Sequence, residues 1–413
     1  MAGIENWRKL GRMLANTGQL LLLQKFCFSG LSHDPMVCLL PSDGAILLFA
    51  MDDWISGTLS ILFLFDVCDE VRLDQLRQIL GSPTPGREPP FRRPVPEYVQ
   101  FANPPVVESL EGLALADSDV FAGRLAYYDY GVVSLTLDLP FTGTWQSIIE
   151  LTARWMNAPD LERRAADVLE AHLKRAAPAL VSPYQERLTE DYFIIQLREI
   201  RGLPNRSASH LIEHRADYVA QMVRGEVTGL SAAERAEILE SRMSYYDTDL
   251  LVVAWTAALI YDTPDGAVPT VQLLEYANTQ LLEFRHYDAV LTLLLRDVYR
   301  SLDKGTGTFS RWRLGREAAR LKTIQLDVRE LTERVDNSIK FLSDMFAARL
   351  YRMAARKIGV PDYRTLVEQK LQSAGDLYAF MMDRFYQGRA FGLEFMVVII
   401  LVIELAFLFR GIK

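Results

Sequence analysis

The spacing of apolar residues is strand-like in the first half of the chain and helix-like in the second. Leu59–Phe65 is an apolar run interrupted only by Ser60, and apolar residues alternate with polar or small ones over Val133–Leu139. Such alternation is typical of a strand with one buried face. Together with Leu125–Tyr128 and the glycine-containing link between the two runs, it predicts a hairpin over residues 125–139. We therefore expect residues 59–200 to form an α+β domain.

A helical period dominates from about residue 208 onward. Before that point, Asp191–Leu197 is typical of a strand. Helices are predicted at 144–156 and 161–176, and then at 208–223, 231–243, 246–260 and 267–300. We accordingly expect residues 201–300 to form a helical domain.

Two long helices are predicted to follow. From Ile324 to Met353 the apolar residues advance in steps of three and four, which is the period of a nearly straight helix. Gly359 is expected to end this helix, and Pro361 to start the next one, which should run unbroken through Leu371 and Phe385 into the apolar segment that follows. We expect the two helices to form an antiparallel hairpin over residues 301–390 and to be the surface through which copies of the protein associate.

The segment at residues 391–409 is predicted to be a single transmembrane helix. Its nineteen residues contain two charges, and as a helix it would cover roughly 28 Å, close to the thickness of a bilayer's hydrocarbon core. A carboxylate inside the bilayer costs roughly 2.5–3.5 kcal/mol, which the apolar neighbours offset at least in part. A buried core helix is the alternative. The anchor residues singled out are Glu394, Phe395, Val398, Ile399, Ile403 and Glu404.

The position of this segment predicts the topology. Four residues follow it, and moving four residues across a membrane is easier than moving the bulk of the chain. We expect a single-pass protein whose bulk is cytoplasmic at a bacterial inner membrane, or faces the matrix at the mitochondrial inner membrane of a eukaryote.

Two other segments have distinct patterns. Residues 1–58 are predicted to contain an amphipathic helix and a lead-in, because the apolar residues near the start follow a helical spacing without the cleavage signature of a secretory signal. Residues 82–105 are rich in proline, which excludes a regular helix or a central strand. This stretch is predicted to be an extended connection.

Composition narrows the class of protein. Half of the 413 residues are apolar and 24% are charged, which excludes wholesale disorder, and a mean hydropathy of +0.05 is too low for a protein with many membrane spans. A net charge of -8 argues against a dedicated nucleic-acid binder unless the basic residues are segregated. Residues 303–359 do concentrate positive charge, with thirteen Lys or Arg against seven Asp or Glu. Three partners would suit this basic arm: anionic headgroups, ribosomal RNA or the acidic part of its own chain. The alternative interpretation is a helix face that is simply solvated.

The cysteines indicate a reducing environment. Cys27, Cys38 and Cys68 have spacings that fit neither a disulfide framework nor a metal-binding knuckle. We expect them to pack as small apolar groups in a reducing compartment.

One motif has catalytic spacing. His210-Leu211-Ile212-Glu213-His214 matches H-x-x-E-H, in which two imidazoles on one helix face hold Zn²⁺ and the carboxylate acts as a base. A third ligand would have to come from Glu234, Glu237 or Glu240 by default. Two polar positions on an exposed helix face are the alternative, and no metal or cofactor is predicted. Glu404 is a second candidate, as an ion site in an oligomer of membrane helices.

Three stretches form an ordered set of motifs. The first is Tyr127–Val133, which contains Asp129, Tyr130 and Gly131; the second is Asp262, Thr263, Pro264 and Asp265, followed by Leu274-Glu275-Tyr276 and Leu282-Glu283-Phe284-Arg285; the third is Leu393-Glu394-Phe395 followed by Val398–Glu404. In this order they resemble the required-for-meiotic-nuclear-division family of membrane proteins, with departures at Gly266, Ala267 and Phe395. The resemblance implies a bacterial branch of a membrane-attached family with no established catalytic reaction, whose mitochondrial relatives are linked to supporting translation.

These features predict a non-enzymatic scaffold or assembly factor that is tethered to a membrane and holds a partner there. The partners expected are the lipid bilayer, a second copy of the chain, and a ribosome or another protein, without sequence-specific recognition of nucleic acid. Two alternatives stay open: a zinc-dependent hydrolase that uses His210, Glu213 and His214, and an oligomeric ion channel or transporter that uses Glu404.

Overall fold

The computed structural model describes residues 54–81, 104–116, 119–201, 207–303, 320–330, 332–333 and 345–411. The predicted amphipathic helix near the start of the chain and most of the predicted connection at 82–105 lie outside these residues. So does the middle of the predicted helix at 324–353.

Ten strands and eight helices have defined bounds within the described residues. The strands are β1 (Trp54–Asp66), β2 (Cys68–Val71), β3 (Val106–Ala116), β4 (Asp119–Tyr127), β5 (Val132–Thr144), β6 (Leu180–Pro183), β7 (Thr189–Ile200), β8 (Arg242–Met243), β9 (Leu250–Val253) and β10 (Ala257–Tyr261). The helices are α1 (Leu73–Leu80), α2 (Trp145–Met156), α3 (Leu161–Ala176), α4 (Ala208–Arg224), α5 (Ala232–Glu240), α6 (Pro264–Asp303), α7 (Met345–Ile358) and α8 (Val360–Phe409).

Eight of the strands form one sheet. Their order is β3-β4-β5-β1-β7-β10-β9-β8, and β2 and β6 form a separate two-stranded ladder. β1 and β7 are antiparallel and paired from Ile55 to Phe65, whereas β10 runs parallel to β7. The sheet is therefore mixed, with its longest apolar strands at the centre.

Helices cover the sheet on both faces. Along β1, Ile61, Phe63 and Phe65 belong to the core beneath α1–α5, while Leu62 and Leu64 belong to the core beneath α6, α7 and the start of α8. Successive side chains of a strand point to opposite faces, so a continuous apolar run is what a strand buried on both faces requires. The result is an α+β fold in three layers.

Several predicted elements are confirmed. The hairpin at 125–139 forms from β4 and β5, the helices predicted at 144–156 and 161–176 are α2 and α3, and the strand predicted at 191–197 lies within β7. The helix predicted from Pro361 into the C-terminal segment is α8, which runs unbroken for 50 residues. It follows directly after Gly359, whose backbone has a left-handed conformation (φ 98°).

The helix predicted at 246–260 is wrong. This segment forms β9 and β10 with a short turn between them, and nearly all of their side chains are buried. Short apolar runs have the same pattern in a buried strand and a buried helix, so the spacing of residues did not distinguish them. The sheet consequently continues beyond residue 200, into the segment that was predicted to be helical throughout.

The long C-terminal helix packs along α6. Lys370 of α8 lies 2.5 Å from the Asp288 carboxylate and donates a hydrogen bond to Thr292 Oγ1 at 2.7 Å. Leu321, Ile324 and Val328 of the helical segment at 320–330 join the same apolar core. In the part of the chain that the structure describes, no helix is both long enough and apolar enough to cross a membrane, and the predicted span at 391–409 is not confirmed.

The turn between β4 and β5 depends on Gly131. Its backbone has φ 92°, its N–H donates to the Tyr128 carbonyl at 3.2 Å, and its carbonyl accepts from the Val67 N–H at 3.0 Å. A Cβ atom at this position would overlap the Cys68 carbonyl oxygen. Glycine is therefore required both for the conformation and for the close approach of the β1–β2 connection.

Replacing Gly131 with alanine is expected to lower the free energy of unfolding by about 3 kcal/mol, because the methyl group would overlap backbone atoms as well as strain φ. Urea unfolding followed by circular dichroism measures the change. Gly81 is the matched control, since its φ is 65° and nothing lies within 4 Å of its added Cβ. Gly81→Ala should cost only about 1 kcal/mol, and equal losses for the two variants would contradict the role assigned to Gly131.

Candidate functional site

Polar side chains fill the contact between the β4–β5 turn and the middle of α6. Tyr128 and Tyr130 of the turn stack on each other with ring centroids 5.3 Å apart. The Tyr130 phenol is hydrogen-bonded to Thr279 of α6, and the Tyr128 phenol is close enough to Glu275 of the same helix that burial and this carboxylate together raise its pKa. Two of the three motif stretches identified in the sequence are thereby brought together, and we call this contact the turn–helix cluster.

Glu275 is the charged centre of the turn–helix cluster. Its side chain is almost completely buried, and its Oε2 accepts a hydrogen bond from Arg124 Nη2 at 2.8 Å. Arg124 comes from β4, and the nearby carboxylate raises the pKa of its guanidinium despite the opposing effect of burial. A buried carboxylate is tolerated when a cation neutralises it, so the ion pair with Arg124 makes the position of Glu275 possible.

Tyr130 extends the cluster along α6. Its hydroxyl lies 2.8 Å from Thr279 Oγ1, and that oxygen donates its own proton to the Tyr276 carbonyl at 2.7 Å. The Tyr130 hydroxyl must therefore be the donor to Thr279. Burial raises the pKa of both Tyr128 and Tyr130 well above that of a free phenol, so each stays a neutral donor at physiological pH.

A second polar cluster lies where β1 ends. The Asp66 carboxylate is buried, and its Oδ2 lies 2.5 Å from His286 Nδ1 on α6. The His286 ring stacks on Tyr184 with centroids 5.1 Å apart, and the Tyr184 hydroxyl donates to Asp69 at 2.6 Å. Burial raises the pKa of Asp66, and the interaction with His286 opposes that rise.

The two clusters together fix α6 on the sheet. Arg285 also pairs with Glu190 at the start of β7, so α6 is held to β1, β4 and β7 by buried or half-buried charges. Cys68, two residues after Asp66, is buried, and burial raises the pKa of its thiol to about 12. A thiol with so high a pKa is a poor nucleophile at neutral pH. The role that these ion pairs and hydrogen bonds support is the positioning of α6 on the sheet.

The Asp262–Asp265 motif forms the start of α6. Thr263 accepts a hydrogen bond from the Gly266 N–H at 3.1 Å through its hydroxyl, and Pro264 is the first residue of the helix. Asp262 Oδ1 accepts from the Thr263 N–H at 2.6 Å, and burial raises the pKa of Asp262. A hydroxyl cap, proline in the first turn and Asp265 next to the positive end of the helix dipole are all favourable at a helix start.

The H-x-x-E-H motif lies on α4. His210 and His214 do share a face, with their rings stacked and their centroids 4.0 Å apart, and His214 Nδ1 lies 3.1 Å from the His210 carbonyl oxygen. Two of the proposed third ligands are engaged elsewhere, Glu234 with Arg224 and Glu237 with Lys357. Across the described residues there is no group of three or more His, Cys, Asp or Glu that could hold a metal ion. The zinc site therefore stays a prediction that the structure does not strengthen.

The predicted anchor residues lie on the last turns of α8. Each of them is exposed: Glu394, Phe395, Val398, Ile399, Ile403 and Glu404. The third motif stretch is thus on a different part of the molecule from the first two.

The sequence did not single out Arg124, Asp66 or His286. Glu275 was noted only as part of a motif. Each partner of a pair is far from the other in sequence, 151 residues apart for Arg124 and Glu275. A lone arginine in a strand gives no local signal, although an Asp directly after a buried strand and one of only five histidines in the chain could have been flagged.

Removing the carboxylate of Glu275 is expected to lower the free energy of unfolding by about 3 kcal/mol, because Arg124 would lose its buried ion-pair partner. Chemical denaturation of Glu275→Ala measures this. Glu237→Ala is the control, since the Glu237 side chain is more than half exposed and its pair with Lys357 should contribute less than about 1 kcal/mol. A loss for Glu275→Ala as small as that of the control would contradict the assigned role.

Cys68 is expected to resist alkylation in the folded protein. A folded pKa of about 12 leaves only about one thiol in ten thousand ionised at pH 8. With Cys27 and Cys38 replaced by serine, iodoacetamide labelling should be at least about a hundredfold slower in buffer than in urea. Because the folded pKa is raised, the labelling rate should still be rising with pH at pH 10. Rapid labelling at pH 8 without denaturant would refute the buried position.

Comparison with known proteins finds a family match over the part of the chain that contains the sheet. Residues 56–267, just over half of the chain, match the family model described as "Uncharacterized protein MJ0711, N-terminal domain". One relative is the "Uncharacterized protein MJ0711" of Methanocaldococcus jannaschii, 20% identical over 194 residues, which is 47% of this chain and 59% of the relative's length. The chain thus covers less than two thirds of that relative.

The match begins in β1, includes the β4–β5 turn, and ends in the first turn of α6. No solved structure matches the chain. These comparisons give no support to the resemblance to the required-for-meiotic-nuclear-division family, which stays a prediction. On the strength of the match over residues 56–267, this chain belongs to the family of the MJ0711 N-terminal domain.

Proposed function

We propose that the protein is a non-enzymatic scaffold attached to a membrane through the apolar end of α8, the predicted span at residues 391–409. The observation that supports this most directly is the exposure of that segment. Thirteen large apolar side chains between Phe395 and Phe409 are exposed to solvent. Contiguous apolar surface of this extent on a protein marks a site of interaction with lipid or with another protein.

Lipid is the partner that matches a helix apolar on every side. A helix that lies on a membrane surface or against one protein partner needs an apolar stripe on one face. Here the exposed apolar residues are nearly consecutive and so surround the helix axis. Each of the thirteen apolar side chains gains about 0.3–0.6 kcal/mol of free energy on entering lipid. Their sum exceeds the roughly 3 kcal/mol cost of inserting Glu404.

The rest of α8 acts as a spacer in this proposal. Beyond Ala374, which still lies in the apolar core, the helix rises by about 30 Å to Glu394 at 1.5 Å per residue. A scaffold of this form holds its sheet away from the membrane, with the bulk of the chain on the cytoplasmic side and the helix end inserted as a single pass. The partner held there is a ribosome or another protein.

The polar clusters support the non-enzymatic part of the proposal. The buried charged groups of α6 are engaged in joining that helix to β1, β4 and β7. Such pairs act as positioning devices, and the same residues are poorly placed to bind a substrate while they hold the core together.

Truncation after residue 390 is expected to release the protein from membranes without unfolding it, because the removed side chains that the structure describes, at 394–411, are all exposed. Full-length protein should stay in the membrane pellet after alkaline carbonate extraction, and the truncated protein should appear in the supernatant with an unchanged melting temperature. A double substitution of Ile399→Arg and Ile403→Arg should act like the truncation, since each charge costs roughly 3 kcal/mol in lipid.

Glu404→Gln is the matched control, and it should pellet at least as well as the unchanged protein because it removes a charge. Full-length protein that stays in the supernatant without detergent would overturn the proposal. In that outcome, a mass of two or more copies by light scattering would assign the apolar segment to association between copies.

A further inference from the structure

The exposed face of α7 combines positive charge with aromatic rings. Arg349, Arg352 and Arg356 are exposed and follow one another at intervals of three and four residues, so they form one stripe along the helix. α7 contains no Asp or Glu. We call this stripe, together with the aromatic residues at its two ends, the α7 surface.

The three arginines differ from those on the other face of the sheet. On α2 and α3, Arg154 pairs with Asp119, Arg163 with Asp160, and Arg175 with Glu108. Within the described residues, none of the three α7 arginines forms an ion pair: Arg349 lies over the Phe346 ring, and Arg352 Nε donates to the Ala348 carbonyl of its own helix. Their charge is therefore available to an external anion, in a chain whose net charge is -8.

Aromatic rings extend the stripe at its N-terminal end. The Tyr245 ring packs edge-on against Phe346 with centroids 4.9 Å apart and against Tyr246 at 4.6 Å. Tyr245 is 54% exposed and Tyr246 is 67% exposed. Both Asp249 carboxylate oxygens accept hydrogen bonds from the backbone N–H groups of these tyrosines, at 2.8 and 2.7 Å. The turn at residues 245–249 is thus held in a conformation that leaves both tyrosine rings in contact with solvent.

A third ring closes the other end of the stripe. Trp255, in the turn between β9 and β10, is 53% exposed, and its ring lies 3.2 Å from where a Cβ on Gly359 would be. Gly359 follows Arg356 by three residues and so continues the spacing of the arginines. From Met345 to Gly359 the surface is about 20 Å long, with aromatic platforms at both ends and three guanidinium groups between them.

We infer that the α7 surface binds single-stranded nucleic acid without sequence preference. Exposed rings on which bases stack, combined with cations that contact the backbone phosphates, are the arrangement by which proteins bind single strands. An acidic protein segment would use the arginines but has no need of three rings in solvent. Anionic lipid is disfavoured because about 50 Å of helix separates α7 from the apolar end of α8, several times the distance over which salt screens charge.

The choice of nucleic acid over lipid rests in part on the proposed attachment, but binding is tested apart from it, since α7 and residues 394–409 are separate parts of the chain. The test uses full-length protein in detergent and measures fluorescence anisotropy of labelled oligouridylate and oligothymidylate. Binding of both with micromolar Kd at about 50 mM salt is expected. Replacing Arg349, Arg352 and Arg356 together with Gln should weaken binding at least tenfold and lower the slope of log K against log salt by about 2, at about 0.7 for each phosphate contact.

A control triple variant, Arg154→Gln, Arg163→Gln and Arg175→Gln, removes the same net charge from the opposite face and should change Kd less than about twofold. Tyr245→Ala with Tyr246→Ala should weaken binding about tenfold with an unchanged salt slope, because stacking carries no charge. All of these positions are exposed, so the melting temperature should stay close to that of the unchanged protein.

Three results would overturn the inference. The first is no binding of either oligonucleotide at about 50 mM salt. The second is equal weakening by the control triple variant, which would show a nonspecific charge effect. The third is binding of polyaspartate or of phosphatidylserine vesicles as tightly as the oligonucleotides, with no loss in the double tyrosine variant, which would assign the surface to an acidic protein or to lipid. Membrane pelleting of the same variants should be unaffected, so failure here and failure of the proposed attachment are separate outcomes.

Discussion

Burial of the central strands on both faces is the constraint on which the rest of this fold depends. β1 and β7 place apolar side chains alternately above and below the sheet, and neither face can be left in water. At about 25 cal/mol per Å² of apolar surface, covering one face alone would leave a large part of the hydrophobic stabilisation unrealised. Helices from opposite ends of the chain meet this need: α1–α5 cover one face, and α6 and α7 cover the other.

The second layer of helices must find partners for buried charged groups as well as bury apolar side chains. α6 brings Glu275, Arg285 and His286 to the sheet, and each charged group meets an oppositely charged or hydrogen-bonding partner from a different strand. Apolar contacts are tolerant of small shifts, whereas hydrogen bonds of about 2.8 Å are not. The clusters therefore set the position of α6 along the sheet, and through α6 they set the line that α8 follows beyond it.

The bounds of the family match correspond to the division between the first layer of helices with the sheet and the second layer of helices. It covers the sheet, the first layer of helices and the start of α6, which is the part that the apolar constraint defines. The β4–β5 turn falls inside the match, but its partner Glu275 falls outside it. The region beyond residue 267 contains both surfaces proposed to meet other molecules, the end of α8 and most of the α7 surface. A common apolar frame with separate binding elements on it is the usual way in which function is added to a fold.

Local patterns were sufficient for the elements whose identity depends on neighbouring residues. The alternation in β5, the glycine and proline around position 360 and the unbroken α8 were all predictable, because each reflects backbone geometry within a few residues. The apolar character of residues 391–409 was equally plain from the sequence.

Only the tertiary structure decided the remaining features. Leu250–Tyr261 became two strands because the edge of β7 was available for β10 to pair with, which a short apolar run cannot reveal. The pairing of Arg124 with Glu275, and of Asp66 with His286, joins residues more than a hundred positions apart. Likewise the sequence showed a basic arm, but which of its arginines lack partners is decided by the carboxylates that folding brings near them. The sequence by itself determined the local elements and the apolar end of the chain, whereas contacts between distant residues exist only once the chain has folded.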